Sequence, residues 1–308
     1  SPPGACASFS TCMASRPEPG MTNPLRDLAD GRLCCLNTAT LGHREPILTV
    51  IDAVARAGFG AISPWRRDVE GHDAAAIGRR IKDAGLVLPG YCRSTYLPAT
   101  TPDGFRANVE DNRRAISDAA SLGAQSFVMV VGGVAEGSKD LDHARRQVED
   151  GTARLLEHGR EVGVRIALEP LHPMYAGDRS CLNTLAQALD ICDRLDPEPG
   201  PDPWLGVAID CYHCWWDPDR AAGIARAGAA RRILGFHVCD WLVPTKDLLL
   251  DRGMMGDGVI DIPAIRGEIE AAGYQGPAEV EVFSANDWWQ RDREEVLKIC
   301  RERFATVT

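Results

Sequence analysis

The sequence lacks the long apolar run that a membrane-spanning helix requires. None of its 308 residues lies in a run approaching about 18 consecutive apolar residues, and no basic segment followed by an apolar run stands at the N-terminus. It also lacks an excess of positive charge, because 34 Lys and Arg stand against 44 Asp and Glu for a formal net charge of −10. Such a charge opposes attraction to nucleic-acid phosphates and to anionic membrane surfaces. We therefore expect a cytoplasmic protein with neither a membrane nor a nucleic acid as a partner.

Two short motifs that would point to other folds or sites are also missing. No GxGxxG follows the first apolar run, which argues against a dinucleotide-binding open sheet. Cys211 and Cys214 have CxxC spacing, but no second pair with zinc-site spacing follows them. A chain of this length does not need disulfides to hold its fold. We expect most of the eleven cysteines to be small buried residues.

The composition is that of a folded globular protein, with 44% hydrophobic and 25% charged residues. Residues 1–20, SPPGACASFSTCMASRPEPG, are rich in Ser, Pro, Gly and Ala and show no periodicity. We expect them to form a flexible, disordered extension. Met21 fits a natural start, so the folded domain is expected to span residues 21–308.

Short apolar runs alternate with segments of helical spacing along the rest of the chain. The runs are predicted strands at residues 33–38, 60–63, 86–92, 125–131, 164–169, 205–210, 233–239 and 278–283. They are nearly continuous in hydrophobicity, which is typical of strands covered on both faces. Glycine motifs such as SLGAQ and EVGV precede several of them, as expected where helices end. Eight strand-then-helix units predict an α/β fold with one (β/α)8 TIM barrel, and a doubly wound open sheet is the alternative.

Ionisable residues stand near the ends of four successive predicted strands. Glu169 ends the fifth and Asp210 the sixth, His237 lies near the end of the seventh, and the eighth contains Glu279 and Glu281. Each alone fits a helix cap or a solvated side chain, but the carboxyl ends of barrel strands meet at one mouth, and burying such groups unpaired is costly. We therefore expect one shared site. Carboxylates and an imidazole suit a divalent cation such as Mn²⁺, Mg²⁺, Co²⁺ or Zn²⁺, with room left for substrate oxygens.

These motifs resemble the xylose isomerase-like barrels, which include sugar phosphate isomerases/epimerases, ketose 3-epimerases, keto-inositol dehydratases and 3-dehydroshikimate dehydratases. The resemblance covers roughly Leu33 to Phe304 and is carried by IALEP, DCYH, HVCD, GDGVIDIPAI and GYQGPAEVEVF. It implies a metal-dependent enzyme that acts on a small carbohydrate. It also makes a homo-oligomer, either a dimer or a tetramer, the expected assembly, and a separate accessory subunit is an alternative.

The resemblance implies roles for individual residues. Glu169, Asp210, His237 and Glu281 match the metal ligands of the family, with Mn²⁺ as the first expectation for the ion. The first and last of these, Glu169 and Glu281, also match the acid/base pair that works on opposite faces of the substrate. His213, three residues after Asp210, matches a histidine that contacts a substrate hydroxyl or carbonyl.

The choice between two glutamates in the last strand also follows from the resemblance. The glutamate of the family lies eight residues after the glycine of the GY-x-G turn, which selects Glu281 when counted from Gly273. Because side chains alternate with period two along a strand, Glu279 and Glu281 face the same side, and spacing alone cannot separate them.

Two positions depart from the pattern of the ketose 3-epimerases. Those enzymes carry a second glutamate six residues after the first, where this chain has Tyr175, and an arginine six residues after the histidine, where it has Val243. His172 follows Glu169 by three residues and is a candidate additional acid/base, although a loop histidine bonded to the backbone fits equally well. A metal-dependent lyase or dehydratase that eliminates water or an aglycone is therefore a second hypothesis.

Four further residues are candidates for substrate binding. Arg93 follows the third predicted strand and Arg252 follows the seventh, where a guanidinium could hold a carboxylate, phosphate or hydroxyl group. Trp215 and Trp216 could form an apolar wall against a sugar ring or an aromatic aglycone, or pack at a subunit interface. Such a wall would suit a substrate larger than a free monosaccharide.

The leading hypothesis is an isomerase or epimerase of a sugar or keto-sugar derivative that moves a proton through an enediolate. The lyase shares this first step. A metal-dependent endonuclease on the same barrel is a third hypothesis, but seven histidines and a charge of −10 argue against several zinc ions and a basic binding face. A non-catalytic sugar-binding subunit is a fourth, and it would not need four intact ligands.

Overall fold

Eight parallel strands form the inner wall of the protein in the computed structural model, which describes residues 26–308. The wall consists of β1 (Cys34–Asn37), β2 (Ala61–Ser63), β3 (Gly90–Cys92), β4 (Ser126–Met129), β5 (Arg165–Leu168), β6 (Leu205–Asp210), β7 (Ile233–Val238) and β10 (Ala278–Val280). Two further strands, β8 (Asp240–Trp241) and β9 (Arg252–Gly253), pair antiparallel outside the wall. All eight predicted strands are therefore confirmed. The predicted extension, residues 1–20, lies outside the described residues.

The strand order shows that the wall is a barrel and not an open doubly wound sheet. Neighbours around the wall run β2-β1-β10-β7-β6-β5-β4-β3. The remaining gap between β2 and β3 closes through isolated parallel bridges, one between Ala61 and Val87 and one between Trp65 and Cys92. The predicted third strand is shorter than its apolar run because Pro89 has no N–H to give to a ladder.

Helices surround the barrel and connect its strands. They are α1 (Ile47–Arg56), α2 (Arg66–Val69), α3 (Ala74–Asp83), α4 (Pro102–Leu122), α5 (Leu141–Val162), α6 (Leu185–Leu195), α7 (Cys211–Cys214), α8 (Arg220–Ala229), α9 (Ile262–Ala271) and α10 (Arg293–Val307). The predicted helix start at Asp261 is confirmed, because its side chain accepts a hydrogen bond from the Ala264 N–H. Gly123 and Gly163 end α4 and α5 with φ values of 80°, the left-handed conformation that glycine adopts without strain.

The core has an outer and an inner layer. Large aliphatic and aromatic side chains such as Phe127, Ile166 and Val207 join the cluster that includes the helices, while smaller groups such as Ala167 and Ala208 form a separate inner cluster. The two sets alternate along the strands, as period two requires. The next inward-facing residues after Ala167 and Ala208 are Glu169 and Asp210. The barrel interior therefore changes from apolar to charged between one inward-facing residue and the next on these two strands.

The cysteines lie in this core. The nine cysteines among residues 26–308 are buried and free, with no disulfide between them. This confirms the prediction that they are small buried residues. Across the same residues, no helix combines the length and hydrophobicity that crossing a membrane would take.

Candidate active site

Four ionisable side chains converge at the carboxyl ends of neighbouring strands. Glu169 follows β5, Asp210 ends β6, His237 lies near the end of β7, and Glu281 follows β10. One potential ligand atom of each residue lies within 4.8 Å of those of the others, and no residue of the four is more than 5% exposed. The register pairs Asp210 with His237 directly across the β6–β7 ladder. The structure thus brings together the four residues that the sequence predicts as metal ligands.

The donor atoms of this cluster fit a divalent cation. Glu169 Oε1 lies 3.0 Å from His237 Nδ1, yet among residues 26–308 neither atom has a hydrogen-bond partner of acceptable geometry. Buried polar atoms are rarely left without partners, so each such pair requires an explanation. Three carboxylates and an imidazole form a ligand set that Mn²⁺, Mg²⁺, Co²⁺ or Zn²⁺ accepts.

The pKa shifts of the clustered residues also favour a bound cation. Burial, followed by the neighbouring Glu169 carboxylate, raises the pKa of Glu281 to about 8. Burial also raises the pKa of Asp210, although the nearby Arg252 opposes this. Burial disfavours charge on His237, but the surrounding carboxylates outweigh it and raise the pKa of that imidazole well above its usual value. Negative charge is therefore crowded here, and a cation would relieve the crowding.

Glu279 lies beneath the cluster in a separate hydrogen-bond network. Its carboxylate accepts a hydrogen bond of 2.6 Å from Asn37 Nδ2 and one of 2.8 Å from Ser63 Oγ. Asn37 Nδ2 also donates to Glu281 Oε1 at 3.0 Å. Glu279 Oε2 lies 3.6 Å from His237 Nε2. The network separates the two glutamates, because Glu281 faces the pocket and Glu279 supports the cluster from below.

Asn37 and Ser63 were missed by sequence reasoning. Both are fully buried at the ends of β1 and β2. A polar residue closing a buried strand is the same signal that revealed Glu169, so extending that rule to uncharged residues would have found both.

Arg252, the first residue of β9, reaches into the cluster from the segment between β7 and α9. Its Nη1 lies 3.1 Å from Asp210 Oδ2 and 3.4 Å from Glu281 Oε2. The guanidinium also lies over the ring of Tyr212, at 4.2 Å from the centroid. Burial opposes its charge, but anionic neighbours including Asp210 and Glu281 outweigh this and raise its pKa well above the usual value. The predicted substrate-binding arginine is thus also a counter-ion of two predicted ligands.

A buried carboxylate holds the loop that carries Arg252. Asp240 Oδ2 accepts from the backbone N–H groups of Gly256 and Gly258, and its Oδ1 accepts from those of Trp241 and Ile260. A Cβ at Gly258 would lie 2.1 Å from the Trp241 carbonyl oxygen, so only glycine fits. The motifs HVCD and GDGVID therefore form one structural unit.

His213 lies beside the cluster and contacts both Asp210 and Arg252 through its ring. Its Nδ1 accepts from the His172 backbone N–H at 3.1 Å. Nε2 lies 3.6 Å from Asp210 Oδ2 and 3.3 Å from Arg252 Nη2. Burial and then the Arg252 charge lower the pKa of His213 well below its usual value, so the ring is neutral.

A pocket of about 300 Å³ opens above the cluster. Its charged and aromatic lining comprises His43, Trp65, Arg67, Arg93, Glu169, Tyr175, Arg179, His213, Arg252, Glu281, Phe283 and Trp289. The predicted binding residues Arg93, His213 and Arg252 are among them. This volume is at the small end of ligand pockets.

Three residues predicted as an acid/base or as substrate-binding residues do not line this pocket. The ring of His172 stacks on Trp241 at 5.0 Å and meets Trp216 edge to face at 5.4 Å. Its Nδ1 accepts from the Met174 backbone N–H at 3.1 Å, and burial lowers its pKa. Trp215 packs against Trp241 as well. The aromatic side chains therefore pack together beside the pocket, because the β8–β9 hairpin places Trp241 there. Their position gives no reason to expect a substrate larger than a monosaccharide.

His43 is a pocket residue that sequence reasoning missed. Its Nδ1 lies 2.8 Å from Asp68 Oδ2, and Thr38 Oγ1 donates to the same oxygen at 2.6 Å. The residue has a φ of 55°, which a non-glycine residue adopts only when its surroundings impose it. Nothing in the sequence GHREP marks this histidine, since its partner lies 25 residues away on α2.

The chain is similar in sequence and in structure to known proteins. Residues 51–300 match the family model described as xylose isomerase-like TIM barrel. The crystal structure of protein SMc04130 from Sinorhizobium meliloti 1021 superposes with a TM-score of 0.85 and 50% identity, over 89% of this chain and 98% of that one.

Two characterised relatives are similar in sequence. A ketose 3-epimerase from Arthrobacter globiformis is 23% identical over 263 residues, which is 83% of this chain and 84% of that protein. A 3-dehydroshikimate dehydratase from Pseudomonas aeruginosa is 25% identical over 252 residues, or 80% of this chain but only 37% of the relative.

Proposed function

This chain belongs to the xylose isomerase-like TIM barrel family, and we propose that it is a divalent-metal-dependent isomerase or epimerase of a keto-sugar derivative. One observation carries the proposal: Glu169, Asp210, His237 and Glu281 place their ligand atoms within 4.8 Å of one another. The pocket above them has room for one sugar unit. The similarity to a ketose 3-epimerase supports the same class of reaction.

The four clustered residues would hold the metal ion, with Mn²⁺ as the first choice and Mg²⁺, Co²⁺ or Zn²⁺ as alternatives. When bound, the ion would polarise a substrate carbonyl and the hydroxyl of the adjacent carbon, and so acidify the C–H of that adjacent carbon. Glu169 would take that proton on one face of the substrate, and Glu281 would return one on the other face. His213 and Arg252 would hold substrate oxygens in place.

A lyase or dehydratase is the second candidate. It would share the proton abstraction by Glu169, but a group on the adjacent carbon would then leave. Tyr175 favours this alternative, because ketose 3-epimerases carry a second glutamate at that position. The Tyr175 hydroxyl donates to the Leu248 carbonyl at 2.6 Å, so it tethers a loop. The similarity to a dehydratase supports the same alternative.

Turnover in D₂O separates these reactions. The Mn²⁺-loaded protein would be incubated with candidate keto-sugars, and the products analysed by NMR and mass spectrometry. Deuterium in a recovered isomer would support an isomerase or epimerase, whereas release of water or an aglycone would support a lyase.

Substitution of the two glutamates tests the assigned roles. Glu169→Gln and Glu281→Gln are expected to abolish turnover and to weaken Mn²⁺ binding by at least the roughly 10- to 100-fold that loss of a residue supporting a metal ligand costs. Glu302→Gln, on the exposed face of α10, is the matched control and should change neither quantity. If both active-site variants bound Mn²⁺ and turned over substrate like the control, the proposed roles would be wrong.

Assembly and location are further parts of the proposal. We expect residues 21–308 to act as one catalytic domain, in a homo-oligomer located in the cytoplasm. Size-exclusion chromatography with light scattering would measure the oligomeric state.

A further inference from the structure

Three arginines line the outer part of the active-site pocket without a carboxylate to neutralise them. Arg67 lies on α2 after β2, Arg93 follows β3, and Arg179 lies in the loop after β5. Among residues 26–308, no Asp or Glu oxygen lies within the 4.0 Å of an ion pair from any of the three. They are also more exposed than Glu169 and Glu281, which lie at the base of the same pocket. The pocket therefore has a metal-binding end and a positively charged end.

Most arginines among residues 26–308 form an ion pair with a carboxylate. Arg66, the residue before Arg67, forms an ion pair with Asp111 at 2.7 Å, and the deeper Arg252 pairs with Asp210 at 3.1 Å. With 44 acidic residues and a net charge of −10, carboxylates are abundant on the molecule. Three guanidiniums that line one cavity make its outer end positively charged and attract an anion.

The side chains of these arginines donate few hydrogen bonds within residues 26–308, the one from Arg93 Nη1 to the Ser94 carbonyl being 3.5 Å long. The Arg93 guanidinium lies 4.8 Å from the centroid of the Tyr96 ring and 5.9 Å from that of Trp65. Arg179 lies 5.6 Å from the centroid of the Tyr175 ring. An aromatic ring stabilises a guanidinium through its flat face and does not consume its hydrogen-bond donors. The rings therefore orient Arg93 and Arg179 and leave most of their donors available.

We propose that this site takes a keto-sugar that carries an anionic group, either a carboxylate or a phosphate, and that Arg67, Arg93 and Arg179 bind that group. The substrate would place its carbonyl end at Glu169 and Glu281 and its anionic end at the three arginines. Both groups accept charge-assisted and bidentate hydrogen bonds from arginine. This inference rests on the proposed function, because it names the substrate class of the same site.

Three probes that differ at a single carbon test the proposal. D-Fructose, D-fructuronate and D-fructose 6-phosphate share the same ketose end and carry a hydroxyl, a carboxylate or a phosphate at C6. Isothermal titration of each into the Mn²⁺-loaded protein would give three dissociation constants. At least one anionic probe is expected to bind about tenfold or more tightly than fructose. The tighter of the two anions identifies the group.

Variants of the arginines connect the preference to these residues. Arg67→Gln, Arg93→Gln and Arg179→Gln are each expected to weaken binding of the anionic probe, and the triple variant should bind it no better than fructose. Arg79→Gln, on the exposed face of α3, removes the same charge away from the mouth and should leave binding unchanged. An unchanged thermal transition and Mn²⁺ affinity in each variant would show that fold and metal site are intact.

The outcomes distinguish this inference from the proposed function. If Mn²⁺ binds and a keto-sugar turns over, but fructose binds as tightly as both anionic probes, the inference is wrong and the proposed function stands. The inference is also wrong if the triple variant keeps the preference for an anion. If neither Mn²⁺ binding nor turnover occurs while the arginines still select an anionic probe, the proposed function is wrong and the anion site stands.

Discussion

Replacing Asp240 with asparagine is expected to destabilise the loop that carries Arg252 into the candidate active site. The buried carboxylate accepts four backbone N–H groups, two at each oxygen, over distances of 2.8 to 3.0 Å. Asparagine has nearly the same shape but only one acceptor oxygen, and its NH₂ group donates. Whichever way the amide is turned, two N–H groups face a donor and lose their acceptor.

The size of the effect follows from this count. An unsatisfied buried donor costs about 1–3 kcal/mol, so two cost roughly 4 kcal/mol of unfolding free energy. At an unfolding entropy of about 2.1 cal/mol/K per residue, that loss lowers the apparent Tm of this 308-residue chain by about 6 °C. The loss should be local as well, because three of the four N–H groups belong to the segment 256–260 and the fourth, that of Trp241, is adjacent to Asp240.

Thermal unfolding and hydrogen exchange would measure both effects. Asp261→Asn is the matched control, because Asp261 caps α9 through the Ala264 N–H and asparagine caps a helix equally well. We expect a shift of under about 1 °C for the control, and faster exchange at Gly256, Gly258 and Ile260 in Asp240→Asn alone. Equal Tm values for the two variants, together with unchanged exchange in this segment, would refute the reasoning.

Three further predictions concern other parts of the molecule. A hydrogen bond from Arg66 lowers the pKa of Asp111 below its usual value, so Asp111→Asn should cost about 1 kcal/mol at pH 7. Because the folded-state pKa is depressed, that difference is complete above about pH 4 and declines as the pH falls further; urea unfolding that gave the same difference at pH 5 and pH 3 would contradict it. The hydroxyls of Tyr175 and Tyr212 both donate to the Leu248 carbonyl, at 2.6 and 2.9 Å. Replacing both with phenylalanine should speed hydrogen exchange across residues 242–251 more than either single change, and equal rates would contradict a shared tether. The nine described cysteines are buried, so iodoacetamide at pH 8 should modify them only after denaturation, and peptide mapping that finds any of them labelled in the native protein would show otherwise.

The strands and the position of the site could be predicted from the sequence because both depend on local patterns. A strand covered on both faces must be continuously apolar, and this marked all eight strands. A charged residue that ends such a run in a barrel lies at the mouth, where the carboxyl ends of the strands meet. Glu169, Asp210 and His237 were located by this reasoning alone, before any ligand geometry was known.

The loops could not be predicted in the same way, because their side chains are oriented by contacts far away in sequence. His172 lies three residues after Glu169, as an acid/base would, but the stacking of its ring on Trp241 is set by a hairpin almost seventy residues later. The pairing of His43 with Asp68 spans 25 residues. Each contact requires a packed tertiary structure, which no local spacing encodes.

The two glutamates of the last strand show how structure separates residues that periodicity cannot. Glu279 has its charge offset by hydrogen bonds from Asn37 and Ser63, so it can stay buried without a cation. Glu281 shares Asn37 and Arg252 with other acidic groups, and beside it Glu169 Oε1 and His237 Nδ1 have no hydrogen-bond partner among the described residues. Burying such charge uncompensated costs several kcal/mol per ion. Glu279 is therefore a buried carboxylate that hydrogen bonds within the protein stabilise. The charge of the cluster above it would instead be balanced by a divalent cation, so Glu281 and not Glu279 belongs to the proposed metal site.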